Sequence, residues 1–341
     1  MPRAKASIQI INDEYGLPYS KGVMSQSISA SGMHPARAYA IASLIELRLQ
    51  KEAPSHITIE QLHEFATTVI QEEEGSDAAR RFRRWMVLRR KDVPIIMLVG
   101  GTTGTGKSTV ATQVAHRFGI TRLTSTDVIR QVMRAFFSHE LMPGLHHSSF
   151  DVPASGLLFP GVSHTGELLG FIEQARQVCV GAQAVVERAE RERMSTLIEG
   201  VHLVPGIVQH IDLTRCAVIE AVVYIDDEEA HKSHFAMRDM QTDGARSVDN
   251  YLRNFGRIRE IQDYLVSQAE RRGVPVLENT YLDHTVQQLI DLTLDTIEQV
   301  AMMGDAATFA SEIVERVEDE RSGSAGPAGG DTGPEHEREA S

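Results

Sequence analysis

The chain is poor in cysteine: Cys179 and Cys216 are the only two in 341 residues. Neither belongs to a CxxC pair, which excludes a zinc knuckle or a disulfide framework, and both read as small buried hydrophobes in a reducing compartment. A long hydrophobic run is also lacking. No stretch approaches the ~18 uninterrupted apolar residues that a membrane span requires. The opening MPRAKASIQIINDEYG lacks the apolar segment of a secretory signal. These absences predict a cytoplasmic protein with no membrane partner. A positive charge balance is missing too. Lys and Arg number 34 against 47 Asp and Glu, for a net charge of −13, and an acidic chain repels phosphate backbones. Nucleic acid is therefore not an expected partner, whereas a small phosphorylated ligand needs only a local positive pocket. A homo-oligomer is compatible with the composition.

Apolar content of 42% and charged content of 24% are those of a globular protein. At ~150 residues per domain the length predicts two domains, and the pattern along the chain divides accordingly. Residues 1–74 read as a small, mostly helical domain. A short strand at Ser7–Ile11 and a turn through Asn12–Gly16 precede helices at about Lys21–Ser31 and Pro35–Glu52, and a third opens at Thr58 with a capping box. Residues 75–92 read as a basic helical connector, RRFRRWMVLRRK, carrying the sole Trp. It is expected to be a solvated helix or one packed on acidic partners. From 93 to 303, candidate strands at Ile95–Val99, Thr121–Ser125, Thr196–Ile198, Ala217–Ile225 and Pro275–Leu277 alternate with helical patterns. That alternation predicts an α/β fold, a mainly parallel sheet with helices on both faces. A terminal helix is expected over 304–320. The tail 321–341, rich in Gly, Ser, Pro and charge, has too little apolar surface to order itself.

The strongest motif is IIMLVGGTTGTGKST, Ile95–Thr109. It contains GxxxxGK[ST] between an apolar strand and a helical pattern, the context of a P-loop nucleotide-binding domain. Gly101, Thr102, Thr103, Gly104, Thr105, Gly106, Lys107, Ser108 and Thr109 are thus expected to hold ATP. Backbone N–H groups cradle the phosphates at a helix N-terminus. Lys107 reaches the β- and γ-phosphates, and the Ser108 hydroxyl ligates Mg²⁺. The second strand ends in Ser125-Thr126-Asp127. Asp127 there can take or orient the proton of an attacking hydroxyl, and it can also cap the following helix. Glu199 ends the apolar Leu197-Ile198 run in the manner of a Walker B element, as a Mg²⁺ ligand or as the base. Arg130 and Arg134, at i and i+4, share a helix face and suit a carboxylate or phosphate on the acceptor; a plain solvated face is the alternative. The donor-rich segment Leu145–Phe150, with His147, Ser148 and Ser149, is expected to line the acceptor site, and His202 is grouped with it. His231–Arg259 carries His231, His234, Arg238, Arg246, Arg253, Arg257 and Arg259, as a lid that excludes water would. Arg238 is taken as catalytic, and Arg246 and Arg253 as acceptor ligands. Asn279 and Thr280, after the last strand, are placed at the adenine.

Six segments carry a resemblance. They are GGTTGTGKST (Gly100–Thr109), STDVIRQVMR (Ser125–Arg134), LHHSSF (Leu145–Phe150), IEGVHLVPG (Ile198–Gly206), HFAMRD (His234–Asp239) and NYLRNFGRIREIQDYLV (Asn250–Val266). In content and order, over roughly Ile95 to Thr296, the chain resembles the 2-phosphoglycerate kinases. Gly16–Gly22 (GLPYSKG) resembles the degenerate ATP-cone region that precedes the kinase domain in that family, although the usual basic pair after the first strand is replaced by Asn12-Asp13-Glu14. The resemblance implies ATP-dependent phosphorylation of the 3-hydroxyl of 2-phosphoglycerate, giving 2,3-bisphosphoglycerate and ADP. The alternatives are a kinase of another phosphorylated polyol or sugar acid, such as an inositol phosphate, and a nucleotide-gated regulatory protein without phosphoryl transfer. Because the tail contributes no core, deletion of Arg321–Ser341 is expected to leave activity and melting temperature unchanged. A fall of several degrees would return the tail to the fold.

Overall fold

Ile95–Gly100 is buried at every position, and a strand without a polar face has to be covered on both sides. That requirement sets the layering. The structure, a computed structural model, describes residues 9–12, 15–52, 56–152, 166–209, 211–213, 215–241 and 248–323. Residues Met1–Ala301 pack as one unit, with Met302–Ser341 a second.

The first unit opens with β1 (Gln9–Asn12) and β2 (Tyr15–Pro18), an antiparallel pair, followed by helices α1 (Lys21–Ala30) and α2 (Pro35–Glu52). A further strand, β3 (His56–Thr58), runs parallel to β1. The sequence reading contained neither β2 nor β3; both are too short to show a period. Thr58 caps α3 (Ile59–Glu74) through the expected capping box. The basic segment forms α4 (Ser76–Arg90) and is amphipathic rather than solvated all round. Ala79, Phe82, Trp85, Met86 and Leu88 are buried. Its arginines meet carboxylates: Arg84 pairs with Asp295 at 2.6 Å and with Glu298, and Arg90 with Glu60 at 3.0 Å.

The α/β region follows with β4 (Ile95–Gly100), α5 (Lys107–Phe118), β5 (Arg122–Ser125), α6 (Thr126–Phe136), a 3-10 turn at Pro143–His146, α7 (Gly166–Arg191), β6 (Thr196–Gly200), β7 (Ala217–Tyr224), α8 (Glu228–Gln241), α9 (Val248–Arg253), α10 (Phe255–Arg272), β8 (Val276–Glu278) and α11 (Leu282–Gly323). All five strands pair parallel, in the order β5-β6-β4-β7-β8. The connection from β4 runs to the β5 edge of the sheet and that from its neighbour β6 runs the other way, to β7, so the C-terminal ends of β4 and β6 flank a switch point, where α/β sheets bind ligands. Alternate β4 residues face different layers. Ile95, Met97 and Val99 join a core with α5, α11 and the N-terminal helices, and Ile96 and Leu98 join one with Ile129, Val178, Ala182 and Val186 of α6 and α7. The helix expected over 304–320 is the continuation of α11, which runs to Gly323 and so takes in the first three residues of the tail expected at 321–341; the rest of that tail falls outside the described residues. Among the described residues, no helix is long and apolar enough to cross a membrane.

Phe82 is fully buried where α4 meets this shared core. Phe82→Ala is expected to cost about 3–5 kcal/mol of stability, read from the denaturant midpoint. A loss under about 1 kcal/mol would detach α4 from the core.

Candidate active site

Strand register brings the candidate carboxylates to one edge. Glu199 lies opposite Val99 of β4 and Ser125 of β5, and Gly200 lies opposite Gly100, where the phosphate loop begins. Adjacent strands are about 4.8 Å apart, so the loop, Glu199 and the start of α6 line the C-terminal end of three neighbouring strands. Glu199 is buried. The cap of α6 is Ser125, whose hydroxyl accepts from Val128 N at 3.2 Å. Asp127 is therefore free of the capping role and is 60% exposed, 3.6 Å from the Arg130 guanidinium.

The phosphate loop runs from Gly101 to the first turn of α5. Its carbonyls are paired one after another. Thr102 O accepts from Thr105 Oγ1 at 3.0 Å and from Lys107 Nζ at 3.2 Å. Thr103 O accepts from His231 Nε2 and Gly104 O from His234 Nδ1, each at 2.9 Å. Thr105 O accepts from Asn279 Nδ2 at 2.9 Å. Asn279 is thus buried beneath the loop as a brace, while Thr280 donates to Glu278 Oε1 at 2.8 Å on an exposed turn. Gly104 adopts φ +89°, and a Cβ there would stand 2.4 Å from the Phe235 ring, so the position admits no side chain. Ser108 and Thr109 are exposed on the first turn of α5.

On the other side of the strand ends, a buried polar chain supports the segment Leu145–Phe150, which the sequence reading expects at the acceptor. Gln174 Nε2 donates to Gly144 O at 2.6 Å and His147 O at 3.0 Å, which leaves its Oε1 to accept from His202 Nε2 at 3.1 Å. The His202 proton therefore sits on Nε2, and Nδ1 accepts from the Thr126 hydroxyl at 2.8 Å. Burial lowers the His202 pKa to about 4 against the opposing pull of the Asp127 carboxylate, and the cations of Arg130 and Lys107 add to the lowering. The imidazole stays neutral. Gly200, at φ +153°, lets Thr126 approach: a Cβ would lie 1.9 Å from its hydroxyl.

His202, grouped with the acceptor residues by sequence, is fully buried with both ring nitrogens taken. It supports the site from behind and offers no surface to a ligand. Arg130 Nη1 is similarly committed, donating to Leu145 O and His147 O at 3.0 Å. Arg134, one turn on, is half-buried and donates from Nη1 to Gln131 Oε1 at 3.2 Å. His147 and Ser149 are half-buried and Ser148 is exposed in the segment these bonds hold. Sequence reasoning missed Gln174 and Thr126. The one signal for Gln174 is a polar residue on the apolar stripe of Phe171, Ala175 and Val178.

Of the residues expected to form a lid, His231 and His234 sit on the phosphate loop, and Arg259 caps the end of β7 by donating to Ile225 O at 2.6 Å and Asp226 O at 3.0 Å. Arg257 lies 3.3 Å from Asp151. Arg253 is exposed, its Nε donating to Asp249 O at 3.2 Å. The side chain of Arg238, within α8, and the whole of Arg246 lie outside the described residues.

No protein-family model matches the chain. Individual relatives do. It is 36% identical over 283 residues to the 2-phosphoglycerate kinase of Methanopyrus kandleri, covering 83% of this chain and 86% of that one. It is 37% identical to that of Methanothermobacter thermautotrophicus over 85% of this chain and 95% of the relative. For the Thermococcus kodakarensis enzyme the identity is 36%, over 84% and 96%. Identity of this size over nearly the whole length of each relative, on a chain whose parallel sheet ends in a braced phosphate loop, shows that the protein belongs to the 2-phosphoglycerate kinase family.

Proposed function

We propose that the protein transfers the γ-phosphoryl group of ATP to the 3-hydroxyl of 2-phosphoglycerate, giving 2,3-bisphosphoglycerate and ADP, in the cytoplasm. The observation that carries this reading is the convergence at one sheet edge of the phosphate loop, the carboxylates Glu199 and Asp127, and a segment held by buried hydrogen bonds. The three relatives, each named 2-phosphoglycerate kinase, supply the acceptor.

The roles follow from the contacts. Loop N–H groups and Lys107 bind the nucleotide phosphates. When Lys107 turns to a phosphate, Thr102 O keeps its bond from Thr105, so the movement strands no buried carbonyl. Ser108 and Glu199 offer the hard oxygen donors that suit Mg²⁺, which when bound would neutralise charge on the transferring group. Asp127, exposed in the first turn of α6, accepts the proton of the 3-hydroxyl as its oxygen bonds to the γ-phosphorus and the bond to the β-phosphate oxygen breaks. Arg134 is the cation assigned to the acceptor phosphate or carboxylate. Arg130 acts through the segment it anchors.

The test of the reaction is ADP release with Mg-ATP, with 2-phosphoglycerate, 3-phosphoglycerate and glycerate compared. Stimulation by 2-phosphoglycerate alone is expected, and its absence overturns the acceptor. Lys107→Ala is expected to lower kcat by at least 100-fold, since it removes charge stabilisation of the transition state; near-normal kcat would sink the loop assignment. Arg134→Ala is expected to raise KM for 2-phosphoglycerate at least tenfold, the loss of a charged hydrogen bond, and to leave KM for ATP within about twofold. Arg130→Ala should also lower kcat, because the whole segment loses its anchor. Equal effects on both substrates from Arg134→Ala would remove that residue from the acceptor site.

A further inference from the structure

We propose that His231 and His234 are positioning residues for the nucleotide: each fixes the direction of one phosphate-loop N–H by holding the carbonyl of the same peptide. This inference rests on the reading that the loop holds the nucleotide phosphates. In a planar trans peptide the C=O and N–H point in opposite directions. Thr103 C=O shares its peptide with Gly104 N–H, and Gly104 C=O with Thr105 N–H. His231 Nε2 holds the first carbonyl and His234 Nδ1 the second, each at 2.9 Å. Both carbonyls are thereby turned toward α8, and the two N–H groups face the other way, into the concavity of the loop. Asn279, just after β8, does the same for Gly106 N–H through Thr105 O.

The placement is built rather than incidental. Asp227 caps α8, its carboxylate accepting from Ala230 N at 2.6 Å, which fixes where the helix starts. His231, His234 and Phe235 then fall on one face at i, i+3 and i+4. That face lies against the loop so closely that position 104 tolerates only glycine. The His231 ring is wedged between Phe235, at 5.3 Å, and Phe255, at 5.5 Å. Arg238 lies about one turn beyond His234 on the same helix, so the element that braces the loop also carries the lid's first arginine.

The two histidines use different ring nitrogens, which permits a crossed test. Glutamine places its amide nitrogen near the Nε2 position of histidine, and asparagine near Nδ1. His231→Gln and His234→Asn therefore retain a donor at the right distance, whereas His231→Asn and His234→Gln misplace it. Binding of ADP is measured by calorimetry on the full chain, with kcat, KM for ATP and KM for 2-phosphoglycerate from coupled turnover. The expected result is a loss of ADP affinity of about tenfold in each misplaced variant, the scale of one hydrogen bond to a phosphate-binding peptide. Each matched variant should stay within about threefold of the parent, and KM for ATP should move more than KM for 2-phosphoglycerate. Equal effects of Gln and Asn at both positions, or no effect at either, overturn the proposal. His234 is only half-buried, so its pair decides the matter if His231 variants do not fold. The two readings separate cleanly. A crossed pattern in ADP binding without turnover on 2-phosphoglycerate retains the bracing and removes the acceptor. Normal turnover without the crossed pattern does the reverse.

Discussion

The planarity of the peptide unit is the constraint on which the site depends. A loop that aims successive N–H groups at an anion has to aim the paired carbonyls away from it, and here away means into the protein. Buried carbonyls need donors. Thr103, Gly104 and Thr105 take theirs from His231, His234 and Asn279, which stand on α8 and after β8. The anion-binding side of the loop is thus specified by polar groups behind it, and the parts of the chain that follow β7 and β8 are held to positions from which those donors reach. Gly104 is the counterpart of this closeness: the aromatic and imidazole rings that supply donor and wedge occupy the space that a side chain would use.

The opposite flank is organised by the same logic with different chemistry. The segment around Leu145–His147 has no regular ladder to satisfy its carbonyls, so Gln174 and Arg130 donate to them from α7 and α6. Gln174 is oriented by His202, and His202 by Thr126. A charged imidazole in that chain would lose its acceptor role toward Thr126 and carry an uncompensated buried charge. Burial keeps it neutral, so that Nδ1 remains the acceptor for Thr126 and Nε2 the donor to Gln174. Thr126 is the residue before Asp127 and His202 lies three residues after Glu199, so the chain also ties the two carboxylate-bearing strand ends together.

Much of this was legible in the sequence where the signal is local. GTTGTGKS stands between a run of apolar residues and a helical pattern, and the central strands β4, β6 and β7 read as largely apolar runs because they are buried in a parallel sheet, while the edge strands β5 and β8 are marked by their place between helical patterns. Asp127 and Glu199 were legible as polar residues at strand ends. What was not legible depends on partners far apart in the chain. Nothing near Asn279 marks Thr105 O as its acceptor, and nothing near His231 distinguishes it from the other basic residues of its segment, because Thr103 O lies 128 residues away in the chain. His202 and Arg130 were recognised as site residues, but their donors and acceptors turn inward, toward Gln174, Thr126 and loop carbonyls. Composition cannot distinguish a cation that meets a ligand from one that holds the backbone around it.

The basic helix α4 makes the same point at larger scale. In a chain of net charge −13, a run of arginines invites a reading as an anion site. Arg84 instead meets Asp295 and Glu298 of α11, Arg90 meets Glu60, and Arg89 donates to Ser27 Oγ at 2.9 Å. Partly exposed pairs of this kind add little stability individually. Their effect is to orient the helix so that Phe82, Trp85 and Leu88 enter the core that Ile95, Met97 and Val99 also enter. Four residues, Lys91 to Pro94, separate α4 from β4, and Gln26 of α1 donates to His116 O at the end of α5. The N-terminal helices thus bear on both the strand that delivers the phosphate loop and the helix that leaves it. A loop whose N–H groups must be aimed to within a hydrogen bond's tolerance needs both of its ends fixed, and in this chain the N-terminal layer helps to fix them.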